Sequence, residues 1–176
     1  MKIVAHPGKI VFVLATLVGT AGIVWAVSPH FITAHTTFNS TAGTVTCSWK
    51  EAGLGDNALI TYECQADGKA VYACINNGGN HPSATNKATV AGPVSASGTF
   101  PSGKNGNIIG SLTLSPPGPG AFSCPPGQKR VLGQVAYCNL DLADTTSPVD
   151  AGIAPTSLSA CLSTVPGVCE SPFTCP

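Results

Sequence analysis

Between Ser28 and Asp144 apolar and polar residues alternate with a period of two, the pattern of strands buried on one face. In Val94–Phe100, Val94, Ala96, Gly98 and Phe100 share one face and hydroxyls occupy the other. Leu59–Ala66 sets Ile60, Tyr62, Cys64 and Ala66 against Thr61, Glu63 and Gln65. Ala70–Asn76 sets Val71, Ala73 and Ile75 against Tyr72 and Cys74, and Asn107–Ser115 sets Ile108, Gly110, Leu112 and Leu114 against Ser111 and Thr113. Phe31–Phe38 and Thr44–Trp49 are less regular runs ahead of these. Val131–Leu142 follows them, and its alternation slips near the end, which predicts a β-bulge.

The separators carry turn chemistry: Asn76–Asn80, Ser102–Gly106 and Pro116–Gly120 are rich in Gly, Pro and Asn. Asp67-Gly68 predicts a tight hairpin between the strands on either side. No stretch after the first 26 residues keeps a helical apolar period over three turns. The expectation is an all-β chain forming a single antiparallel β-sandwich of immunoglobulin-like architecture, with a small barrel as the alternative. The Cys…Trp…Cys spacing of true immunoglobulin domains is absent, so the name covers architecture only.

The N-terminus reads differently. Lys2, His6 and Lys9 precede an apolar run over Ile10–Val27 that ends in Val24-Trp25-Ala26, the layout of a secretory signal peptide cleaved after Ala26. An uncleaved membrane anchor is the competing reading. The expected organisation is a signal peptide over 1–26, a β-sandwich domain over 27–144, and a Ser/Thr/Pro-rich, disulfide-pinned tail over 145–176. Composition agrees with a small exported domain. Only 9% of the 176 residues are charged and the net charge is zero, which argues against a nucleic-acid partner. After cleavage no membrane association is expected, and the protein is placed outside the cell.

All eight cysteines lie beyond the leader: Cys47, Cys64, Cys74, Cys124, Cys138, Cys161, Cys169 and Cys175. An even number behind a signal peptide, with no C-x-x-C pair, predicts a disulfide framework rather than a metal site. Cys74 ends a strand before the Asn76–Pro82 loop and Cys124 ends the Pro116–Phe122 loop. A bond between them would clamp two irregular loops together, so that pair is expected first. Cys64–Cys138 is expected second. The tail holds three cysteines, so one must pair elsewhere, and Cys47 is the expected partner.

Several blocks in order carry a resemblance: Ser48-Trp49-Lys50-Glu51-Ala52-Gly53-Leu54-Gly55, Cys74-Ile75-Asn76, Gly79-Asn80-His81-Pro82, Asn86-Lys87, Gly92-Pro93-Val94-Ser95-Ala96, Gly103-Lys104-Asn105-Gly106, Ser115-Pro116-Pro117-Gly118 and Phe122-Ser123-Cys124-Pro125. Over Phe31 to Asp144 the chain resembles a family of small, secreted, functionally uncharacterised bacterial β-sandwich-like proteins. The resemblance implies no activity and assigns no catalytic or binding residue. Cys74 and Cys124 belong to the shared pattern.

Catalytic constellations are sparse. The histidines after the leader are His30, His35 and His81, and no G-x-S-x-G elbow is present. Glu51, Glu63, Asp67, Asp141 and Asp144 read as solvated edge or turn acids, and most aromatics as core, with Trp49 and Tyr72 the two expected to be exposed. Asn39-Ser40-Thr41 is a glycosylation sequon. No catalytic residue, cofactor or metal is expected. The functional expectation is a non-catalytic extracellular domain that binds a protein, glycan or cell-surface partner, or serves structurally. Its candidate binding patch is Asn77, Asn80, His81 and Phe122, on the clamped loops. The alternatives are a secreted hydrolase with an unrecognised site and an inhibitor or effector protein.

Overall fold

The computed structural model describes residues 28–76, 78, 86–171 and 173. The expected leader and its cleavage point lie outside these residues, as do Asn77, Asn80, His81 and Cys175. The described chain is all-β, with eight strands: β1 His30–Asn39, β2 Thr44–Ala52, β3 Leu59–Asn76, β4 Lys87–Pro101, β5 Ile108–Leu114, β6 Gln128–Asp144, β7 Val149–Asp150 and β8 Leu158–Cys161. They form two antiparallel sheets, ordered β1-β2-β5 and β4-β3-β6-β7, with β8 also paired to β6.

The period-two pattern decides which faces meet. Val45, Cys47 and Trp49 from β2 join Ile60, Tyr62, Cys64 and Ala66 from β3 in one hydrophobic cluster, completed by Val135, Tyr137, Leu140 and Leu142 from β6. At its centre the Trp49 and Tyr62 rings lie 4.5 Å apart, and Phe100 meets both edge-on. Such ring pairs contribute about 0.5–1.5 kcal/mol beyond the area they bury. Trp49 and Tyr72, expected at the surface, are only 2% and 9% exposed. Tyr72 shares the inward face of Tyr62 because β3 runs unbroken between them, so Val71 and Ala73, expected inside, lie on the outer face; the Tyr72 hydroxyl donates to the Pro117 carbonyl at 2.8 Å.

Asp67-Gly68 is not a hairpin. Both residues lie inside the 18-residue strand β3, paired with Pro93 and Gly92 on one side and with Cys138 and Tyr137 on the other. Glycine is required there for close approach, since a Cβ on Gly68 would sit 2.8 Å from the Pro117 ring. The true reversal joins β3 to β4, through residues beyond Asn76.

Sheet pairing also corrects the disulfides. Cys47 is bonded to Cys64, joining the two sheets, with their Cα atoms 6.4 Å apart. The expected Cys64–Cys138 pair fails on strand parity: Cys64 faces the core, whereas Cys138 follows the core-facing Tyr137 and points to the opposite face. Cys47 is likewise not the tail's partner. Within the tail Cys161 is bonded to Cys169. Cys74 is bonded to Cys124 at 5.5 Å between Cα atoms, the pair expected first. Cys138 is disulfide-bonded as well, and no described cysteine is free.

Strand β6 contains the expected bulge near its end and a second one upstream. Between the pairs Gln65–Asp141 and Asp67–Cys138 it carries Asn139 and Leu140 against a single β3 residue. Between Val71–Gln134 and Tyr72–Leu132 it carries the extra residue Gly133. The segment after Asp144 bonds to β6 at both bulges, the second bond continuing the β8 register. The Leu140 amide donates to Thr156 O at 2.8 Å, and Gly133 O accepts from the amides of Leu162 and Ser163. Ile153 and Val168 from this segment are buried, and the Thr36 amide of β1 donates to Ala154 O. Val168 lies so close over Gly133 that any side chain there would collide with it. Gly133→Ala is therefore expected to lose about 1–3 kcal/mol in urea denaturation, and Val168→Ala added to it should recover part of that loss. Equal stability of Gly133→Ala and wild type would contradict this packing.

Candidate functional site

The expected patch can be followed only at Phe122. Its ring is half-buried, its amide donates to Pro119 O, and its carbonyl accepts from Arg130 Nη1 at 2.9 Å. Asn77, Asn80 and His81 lie outside the described residues.

A different constellation assembles at the Asn139 bulge. Strand alternation sends Glu63, Gln65 and Asp67 to the outer face of β3, and the register brings Asp141 beside Gln65 and Ser95 of β4 on its other flank. Asn139 holds a left-handed backbone, φ 53°, which a bulge residue needs and which Asn tolerates better than most. Its Nδ2 donates to Asp67 Oδ2 at 2.7 Å, and Gln65 Nε2 donates to Asp141 Oδ2 at 3.1 Å. These bonds fix the side chains before any ligand arrives. The result is an open depression of about 400 Å³, lined by Glu63, Gln65, Asp67, Pro93, Ser95 and Asn139, with the strand positions Ala66 and Val94 beneath.

The tail sets the limit of this depression. Farther along the sheet, Lys87 Nζ donates to Gly167 O, Gln134 and Glu170 exchange two hydrogen bonds, and Lys69 lies over the Phe173 ring. There the outer face is covered, so Val71 and Ala73 are buried although they alternate away from the core. Around Asp67 and Asn139 the same face stays open.

On the outer face of the other sheet hydroxyl-bearing positions align in register: Thr37, Thr46 and Thr113 form one row, with His35, Ser48 and Ser111 beside it. Thr46 and Thr113 hydroxyls are 3.0 Å apart. That face lacks the strained residue and the pre-set amide–carboxylate pairs of the bulge. The sequon asparagine caps its own turn, Asn39 Oδ1 accepting from the amides of Thr41 and Ala42.

Two acids expected to be solvated are sealed in the core. Glu51 and Asp144 are both 0% exposed. Glu51 extends the inward series Val45, Cys47, Trp49, and Asp144 extends Leu140, Leu142. Neither carboxyl opens on the depression, whose lining comes from the opposite face of the sheet.

Comparison of the chain with known protein families, with curated proteins and with solved structures finds no match.

Asn139 is the residue the depression turns on, and the strain at φ 53° sets its tolerance. Asn139→Gly should stay within about 1 kcal/mol of wild type, whereas Asn139→Val, β-branched in a left-handed conformation, should lose about 1–3 kcal/mol in chemical denaturation. Indifference to Val would show that the bulge does not persist in solution.

Proposed function

We propose that this chain is an exported β-sandwich domain that works by non-covalent recognition, taking a neutral, polyhydroxylated ligand (a sugar unit of an extracellular glycan) in the depression at the Asn139 bulge. The sheet orders β1-β2-β5 and β4-β3-β6-β7 read as the A-B-E and C′-C-F-G arrangement of immunoglobulin-like sandwiches. The staple here is Cys47–Cys64, which links consecutive strands, where antibody domains link B to F. Disulfides of this kind persist in oxidising, extracellular space.

The observation that carries the reading is the convergence of Glu63, Gln65, Asp67, Ser95 and Asn139 around a strained bulge residue. Sugar hydroxyls donate to carboxylates and accept from amides, and a set of pre-oriented carboxylate and amide groups matches vicinal hydroxyls in both roles. A depression of about 400 Å³ suits one or two sugar rings. The side chains that line it are held by rigid strands rather than by loops.

The test is direct binding of the exported domain to an array of neutral oligosaccharides, followed by calorimetry on any hit. Binding is expected, and Asp67→Ala should weaken it by about tenfold or more, the effect of removing a charge-assisted hydrogen bond. No binding by the folded domain, binding of Lys-rich peptides in place of sugars, or release of reducing ends from a bound glycan would each overturn the reading.

A further inference from the structure

Where β2, β3 and the end of β6 meet, five polar side-chain atoms are sealed from solvent without a hydrogen bond of proper geometry, although Tyr62 lies close enough to Glu51 to act on it: Trp49 Nε1, Glu51 Oε1, Glu51 Oε2, Tyr62 Oη and Asp144 Oδ2. Glu51 belongs to one sheet, Tyr62 and Asp144 to the other, and Tyr62 and Asp144 are register partners. The second oxygen of Asp144 is occupied, accepting from the amides of Thr146 and Ser147 at 2.7 and 3.0 Å. Two ionised carboxylates in one such chamber would repel across a medium that screens them poorly, and Glu51, unlike Asp144, would lack the well-formed hydrogen bonds that offset its dehydration. One of the two charges has to be neutralised.

A cation is the weaker candidate. Among the described residues no group of three or more metal-ligating side chains gathers anywhere. A proton needs no added volume, and it turns an acceptor-only carboxylate into a donor among other acceptors.

We infer that Glu51 is protonated in the folded protein and that this proton is a pH-sensitive latch between the two sheets. The groups facing Glu51 account for it. Burial pushes its carboxyl above the usual carboxylate range; the Tyr62 hydroxyl pulls it back, the Asp144 charge adds to the rise, and His30 on β1 opposes it. Its direct neighbours in the sheet, Phe31 on β1 and Ile108 on β5, carry no charge. Asp144 is the other acid and already has two amide donors, so the proton belongs on Glu51.

The sign follows from linkage. A carboxyl whose folded pKa lies above its ordinary value of 4.5 contributes stability in full below that value and loses it as pH rises through the folded pKa. The latch closes in acid and opens toward alkaline pH.

The experiment compares melting temperatures of wild type and Glu51→Gln from about pH 4 to pH 8, because Gln is the neutral isostere of the protonated acid. The two should melt together near pH 4, and as pH rises toward 8 wild type should fall progressively below the variant, by about 2–4 °C for each kcal/mol that burying the ionised form costs in a domain of this size. The Glu51 carboxyl carbon resonance provides a readout that does not depend on the variant folding: its midpoint should lie above 4.5 and drop toward that value in Asp144→Asn. A pH-independent gap, a gap that widens toward acid, or a midpoint at or below the ordinary value would overturn the inference. So would a wild-type melting temperature raised by calcium at pH 8, which would put a cation where the proton is assigned.

Discussion

The outer half of the molecule depends on a mismatch in length between two paired strands. β6 runs against β3 with an extra residue at Gly133 and another at Asn139–Leu140. Each extra residue takes a backbone group out of the ladder, and a buried backbone group without a partner costs about as much as a lost hydrogen bond. The segment after Asp144 pairs along the free edge of β6 and bonds at both bulges, with Thr156 O at one and the amides of Leu162 and Ser163 at the other. Its path over the sheet is then set, and so is the part of the sheet it leaves open. The depression lies at the Asn139 bulge, and the covered Val71 and Ala73 lie beside the Gly133 bulge.

The inner half rests on a different constraint. Cys47–Cys64 ties the sheets at the middle of the core, beside the Trp49–Tyr62 pair. Loops closed by disulfides raise stability by about 2–4 kcal/mol in the chain-entropy account. One strand step beyond Trp49 the core becomes polar at Glu51. The cost of burying that carboxyl is reduced if it stays neutral, which links the core's stability to pH without any exposed titrating group.

Most of the strand faces were legible in the alternation: the inward series of Leu59–Ala66, β4 and β5 are those seen in the core, and the slip in Val131–Leu142 marks the Asn139 bulge, whereas Val71 and Ala73, read as an inward face, lie on the outer one because β3 runs on through Asp67-Gly68 without reversing. The failures have identifiable causes. Asp-Gly is a strong local hairpin signal, but β4 alternates along its whole length from Lys87 to Pro101 and needs an equally long partner, so the tertiary pairing overrides the turn. Ending β2 at Trp49 hides Glu51, which the same alternation places inside. Parity sets Cys64 with Tyr62 on the inner face and, counted along β2, Cys47 with Trp49, so the sequence already carries a clue to their bond. The depression could not be read from the sequence. Glu63, Gln65, Asp67, Ser95 and Asn139 come from three strands, and only their register brings them together.

The C-terminal segment is part of the cooperative fold because it pairs along β6. Native-state hydrogen exchange of three amides tests it: Leu140, which bonds Thr156, Leu162, which bonds Gly133, and Cys64 in the core strand β3. All three should exchange at the free energy of global unfolding. Exchange of Leu140 and Leu162 at a much lower free energy, with Cys64 still protected, would show a tail that detaches while the sheets stay folded, and would contradict it.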